Sequence, residues 1–168
     1  MRKIVLGILT MAIMAGCVSL DCPVNNVVSS VYSLQKPDGS PDTLLVDTMW
    51  VWAVRSDLTD TLLVNRLCGT KATKFAITLS NTQPTDMVCL EVVDSCKGID
   101  QTQWLDTIFL SKTDQPHFEG VDCKANYFHT LTGVTSSHHL IDTVIINKTD
   151  VNYDTSTPHL LLRLKARR

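Results

Sequence analysis

Apolar and polar residues alternate along most of this chain, and no segment carries a sustained apolar stripe of period 3.6. Alternation with period two is the mark of strands that bury one face. It predicts strands near 27–34, 43–54, 61–67, 73–79, 87–93, 104–110, 127–131, 141–147 and 159–164. The breaks between them carry turn residues, as in Lys36-Pro37-Asp38-Gly39-Ser40-Pro41, Ser56-Asp57, Lys97-Gly98, 113–116 and 152–158. Short strands at this spacing predict an all-β domain, an antiparallel β-sandwich, with a barrel as the alternative. In the last strand Leu160, Leu162 and Leu164 share a face and Arg163 points away from it. The length of 168 residues suits one domain with a sizeable core.

The pattern also suggests pairings. Segments 73–79 and 87–93 flank a turn composition, 81–86, and read as a hairpin. Setting Leu79 opposite Val88, Ile77 opposite Leu90 and Phe75 opposite Val92 puts six large apolar side chains on one face. Lys74, Thr78 and Glu91 then share the other. Trp50 and Trp52 lie two apart, on one strand face with Val46 and Val54, and are read as core.

The N-terminus has a different grammar. Arg2 and Lys3 precede a mostly apolar, uncharged run, 4–13, which is too short to span a bilayer and has the length of a signal-peptide core. Met14-Ala15-Gly16-Cys17 follows, and it resembles the lipobox of bacterial lipoproteins, with Met14 where Leu is more common. The resemblance implies cleavage before Cys17 and acylation of its thiol. The expected organisation is a leader over 1–16, a lipidated tether over 17–26 and a single sandwich domain over 27–168. Stable anchoring takes two or more acyl chains. No acidic residue directly follows Cys17 and no acidic cluster lies beyond it, so the expected address is the outer membrane, facing the periplasm, with cell-surface exposure as the alternative.

With Cys17 assigned to lipid, Cys22, Cys68, Cys89, Cys96 and Cys123 remain. No C-x-x-C occurs and the spacings match no zinc pattern, so in an export compartment they read as disulfides. The hairpin register places Cys96 opposite Lys71, close to Cys68, which suggests Cys68–Cys96. Cys22 and Cys123 pair by elimination, and Cys89 is left over. The alternatives are Cys89–Cys96, which needs a tight turn in a stretch that reads as strand, and free core cysteines. A second resemblance covers roughly the last third. Cys123 to Phe128, then Leu140 to Asn147, Val151-Asn152 and His159 to Leu162 are similar in order to a family of small all-β envelope lipoproteins of Gram-negative bacteria, in which an early cysteine like Cys22 also recurs. That likeness implies the same fold, compartment and Cys22–Cys123 link, and no activity.

Charge narrows the function. The chain has 15 Lys and Arg against 17 Asp and Glu. Arg2 and Lys3 leave with the leader, and Arg163, Lys165, Arg167 and Arg168 crowd the C-terminus, so the body between is clearly acidic. Nucleic acid, which needs a basic face, is excluded as a partner. No nucleophile elbow, zinc-protease helix, phosphate loop or dinucleotide fingerprint is present. Asp followed by Thr and an apolar residue recurs at Thr43, Thr48, Thr61, Thr107 and Thr143, similar to the acceptor pattern for O-glycosylation in some gut Gram-negative bacteria. Strand starts after Asp-containing turns produce the same triplet. Asn147-Lys148-Thr149 is an N-glycosylation sequon of a kind bacteria rarely use. His138-His139 with His117 or His129, and the group Asp114, His117, Glu119 and Asp122, read as solvated loops, so no metal and no cofactor is expected. Ser136 or Ser137 beside a histidine lacks the third member of a triad. The expectation is a non-enzymatic, lipid-anchored envelope protein that binds or scaffolds an envelope protein or glycan. The alternative is a glycan-binding accessory protein or an envelope hydrolase, which an exposed Trp50/Trp52 face would favour.

Overall fold

The structure is a computed structural model, and it describes residues 22, 27–43, 48–54, 60–68, 72–93, 103–121 and 123–166. The described residues form ten strands and no α-helix: β1 Ser30–Gln35, β2 Thr48–Val54, β3 Asp60–Cys68, β4 Lys74–Ile77, β5 Thr85–Val93, β6 Gln103–His117, β7 Asn126–Ser136, β8 Ile141–Ile146, β9 Asp150–Val151 and β10 Leu160–Leu164. They make two sheets, one in the order β4-β1-β10-β8 and one in the order β3-β2-β5-β6-β7-β9. The expected all-β sandwich is the fold.

Every segment with strong alternation is a strand, because one face of each is buried. Tyr32 and Leu34 of β1, Phe75 and Ile77 of β4, and Leu160, Leu162 and Leu164 of β10 come from the smaller sheet. They meet Met49 and Val51 of β2, Val88, Leu90 and Val92 of β5, and Ile108 and Leu110 of β6. Tyr32 and Phe75 sit opposite each other in register and stack, ring centroids 4.9 Å apart. β1 and β10 pair in parallel at the centre of the smaller sheet, so the first and last strands are locked together, and every other pairing is antiparallel. Gly39, at φ 83°, makes the turn after β1, where a side chain would be strained.

The partners differ from the sequence expectation in one place. β4 and β5 are not a hairpin. β4 pairs with β1, Ile77 facing Ser30, while β5 lies between β2 and β6 in the other sheet. Residues 78–84 carry the chain across the sandwich. Alternation correctly puts Phe75, Ile77, Val88, Leu90 and Val92 in the core, but facing across two sheets satisfies it as well as pairing within one. The register that brought Cys96 to Cys68 therefore does not exist.

Two strands are longer than expected. β6 runs through the polar stretch 112–116, because Lys112 and Asp114 keep the inward parity of Ile108 and Leu110 and are neutralised inside. Past Ser111 β6 pairs only with β7 among the described strands, which tolerates Pro116, since a missing N–H does no harm on an open side. β7 continues to Ser136 opposite Ile108 across a bulge at Ser111/Lys112. The short β9, not foreseen, pairs with His129 and Thr130 and buries Val151.

Candidate functional site

The charged residues that alternation places inside form a buried ionic cluster. Lys112, with no side-chain exposure, donates to the Ser80 carbonyl, to the Gln83 carbonyl at 2.8 Å and to both Asp114 oxygens at 2.8 and 3.1 Å. Its three protons thus have three acceptor groups, two of them on the crossover loop between β4 and β5. His129 is 4% exposed, and its Nδ1 donates to Asp114 Oδ1 at 2.7 Å. Burial would push the Asp114 carboxyl up, but Lys112 and His129 outweigh it and hold it below the usual range. Asp86 accepts the Ser80 N–H at 3.2 Å and lies 3.9 Å from Lys112 Nζ. Burial dominates there and pushes its carboxyl up, against the Lys112 charge. Each charge is met within the cluster, so the arrangement pins the crossover loop to β6.

Asp106, fully buried on β6, plays the same part at the other end of the sandwich. Its Oδ1 accepts the N–H groups of Thr107 at 2.8 Å and Ser137 at 3.0 Å and the Ser137 hydroxyl; its Oδ2 accepts the N–H groups of Leu140 at 2.8 Å and Ile141 at 2.7 Å. Burial pushes this carboxyl up, yet those bonds, led by Ile141 and Ser137, hold it below the ordinary range. They fasten the β7–β8 turn to β6, with His138 at φ 60° in that turn.

The opposite side of the six-stranded sheet is chemically different. Residues in register share a face, so Trp50, Glu91 and Leu105 form one row, Trp52, Cys89 and Thr107 the next, and Met87 and Phe109 a third. Leu105 is 50% exposed, Met87 and Phe109 each 37%, and both tryptophans are half-buried. The core reading of Trp50 and Trp52 is thereby corrected: Met49 and Val51 take the inward parity of β2, which turns the indoles outward. The expected companion Val46 lies outside the described residues.

A third feature is the hairpin joining β6 and β7. Cys22 is disulfide-bonded to Cys123, closing a separation of 101 residues, as expected. Beyond it the tip exposes Phe118 and Val121. At its base His117 stacks on Phe128, centroids 4.3 Å apart, and Tyr153 packs edge-on at 5.0 Å from Phe128.

The remaining sequence candidates divide by position. Cys17 and Cys96 lie outside the described residues; Cys68 ends β3. Cys89 is a free cysteine, 8% exposed, with its sulfur 3.6 Å from the Thr107 hydroxyl. Of the Asp-Thr positions, Thr48 is 2% exposed, too enclosed to carry a glycan on the folded domain. Thr107 is half-buried in mid-strand and its Asp106 is consumed by the turn. Thr43, outside the described strands, and Thr143, within β8, are half-buried, and Thr61 falls in β3. His138 and His139 sit in the turn after β7, whereas His129 lies within β7 and His117 opposite its first residue, so the structure does not bring the four together. Among the described residues no group of three or more His, Cys, Asp or Glu is placed to hold a metal ion. The buried charges were legible in principle: Asp86, Asp106 and Lys112 each continue the inward parity of their apolar neighbours.

Comparison with curated proteins and with solved structures gives no match. One family model does match, over residues 48–163, a span that opens on β2 and reaches into β10 but leaves out β1 and Cys22, both integral to this fold. It covers more than half of the chain, and the protein therefore belongs to the family of unknown function DUF6452.

Proposed function

We propose that this protein is a lipid-anchored binding module of the bacterial envelope, without an enzymatic role, held to the outer membrane through acyl chains on Cys17 and facing the periplasm. Its binding surface is the outer face of the six-stranded sheet. The observation that carries this reading is the apolar set Trp50, Trp52, Met87 and Phe109 on that face, with Leu105 across Glu91 from Trp50. Scattered exposed apolar residues need no explanation, but a continuous patch marks an interaction surface.

The ligand class this face suits is a glycan. Two indoles two positions apart on one strand are separated by about 7 Å, the scale of neighbouring sugar rings. Glu91 and Thr107, on the same face, offer polar groups among the apolar ones. The expected result is that the lipidated protein sediments with isolated cell-wall glycan and that Trp50→Ala/Trp52→Ala abolishes this while leaving the melting curve near wild type. Undiminished sedimentation of the double variant rules the face out. Cys17→Ser should release the protein from membranes, and protease should reach the domain only after the outer membrane is opened; digestion on intact cells would move it to the surface.

A further inference from the structure

We infer that the tip of the β6–β7 hairpin, with Phe118 and Val121, docks against the lipid headgroup layer beside the acyl anchor; this rests on the lipid-anchor reading above. Phe118 is 62% exposed and Val121 95%. Both gain by leaving water in proportion to their apolar area. The Cys22–Cys123 bridge bonds the root of the tip to the chain just after the anchor. The five residue steps from Cys17 to Cys22 reach at most about 18 Å when fully extended. The membrane surface that holds the acyl chains is therefore always within reach of the tip.

The described residues on either side of the tip are tied down before it meets a membrane. The Cys123 N–H donates to the Gly120 carbonyl at 3.2 Å, and Asn126 Nδ2 donates to the Tyr153 hydroxyl at 2.8 Å beneath the stacked rings of His117 and Phe128. Docking then loses little conformational freedom, the general advantage of a preorganised contact. Glu119, 3.5 Å from His117, and the exposed Lys124 put charges of both signs around the apolar pair, so the surface it fits is a zwitterionic one. From Asn126 to Ser136 β7 rises ten residues, about 34 Å. The β7–β8 turn with His138 and His139 therefore marks the far end of the domain, away from lipid.

The test uses the lipidated full chain in phosphatidylcholine vesicles whose acyl chains carry bromine near the headgroup, which quenches nearby indoles. Phe118→Trp adds an emitter at the tip and His139→Trp one at the far turn, each read as the difference from wild type. The emission added by Phe118→Trp should fall several-fold more than that added by His139→Trp. Val121→Trp gives the same readout should Phe118→Trp fail to fold. Flotation of wild type and Cys17→Ser with the vesicles separates the two layers of the argument. If wild type does not float, or Cys17→Ser floats equally well, the anchor reading fails and the docking with it. If wild type floats through Cys17 but the tip indoles are quenched no more than the one at His139, the docking alone is overturned.

Discussion

Replacing Asp106 by Asn changes one atom of a fully buried side chain and isolates what its carboxylate does. Four backbone N–H groups converge on it, those of Thr107 and Ser137 on one oxygen and those of Leu140 and Ile141 on the other. An amide has one acceptor oxygen, so either orientation turns its NH₂ toward one of these two pairs. The cheaper orientation faces Thr107 and Ser137, whose N–H groups also donate to the Ser137 hydroxyl at 3.0 Å and the Thr107 carbonyl at 2.9 Å; the buried Leu140 and Ile141 N–H groups then keep an acceptor but lose its charge, about 1 kcal/mol each, and we take about 2 kcal/mol as the expected loss. For a domain of this size that lowers the melting temperature by about 4–8 °C. Urea unfolding of wild type and Asp106→Asn at pH 7 measures it directly, the slope checking that both unfold alike. The pH dependence gives a second reading. Asp106 has a folded-state pKa below its unfolded value, so its contribution is complete above the unfolded value, near 4, and is lost as pH falls through the folded one. The gap between wild type and variant should be constant from neutral pH down to about 5 and close below about 4. A difference under about 1 kcal/mol at pH 7 would refute the reasoning, since two buried bonds each lose about that much when their acceptor loses its charge.

Asp86→Asn should behave in the opposite sense: burial raises the Asp86 carboxyl, so its ionised form opposes folding above that pKa, and the variant should match or exceed wild type in urea midpoint at pH 7. Lys112→Met should cost about 3–5 kcal/mol in the same assay, because it leaves Asp114 with His129 alone and the Ser80 and Gln83 carbonyls without their donor. His159 is buried with its Nδ1 accepting the Val31 N–H at 3.0 Å, and burial followed by the Lys148 charge lowers its pKa; stability should fall as pH drops through the ordinary histidine value near 6.5, and His159→Asn should flatten that step in a series of thermal melts. Cys123→Ser should lower stability by up to about 4.7 kcal/mol in the chain-entropy account of a loop near 100 residues. Intact mass should rise by two hydrogens for each disulfide on reduction, a second one assigning Cys68 and Cys96, and Cys89 should resist a thiol reagent until the domain unfolds.

Much of the fold was legible because period two has one common cause, a strand with one wet and one dry face. Each of the nine alternating segments became a strand, and Leu160, Leu162 and Leu164 reached the core as their spacing required. Composition and parity disagree at two places, and parity prevails in both. The polar run 112–116 resembles a turn by content, yet Lys112 and Asp114 fall in step with Ile108 and Leu110, and β6 runs on through them. Likewise Trp50 and Trp52 were placed inside for being large and apolar, although Met49 and Val51 hold the alternate positions and bury completely.

Chain order and side-chain chemistry alone thus settle that nine segments are strands, which parity of most of them faces the core, the acidic body and the candidacy of Cys22 and Cys123 for a long-range link. The tertiary structure decides which strand pairs with which. The pleat tells a residue which side it is on, but not whether the apolar side opposite belongs to its own sheet or to the facing one. That choice separated β4 from β5 and joined β1 to β10. It also collected Lys112, Asp114, His129 and Asp86 into one cluster and turned the tryptophans outward onto the face that carries Leu105 and Phe109. Sites of this kind are built from residues distant in sequence, and their geometry exists only once the two sheets have closed on each other.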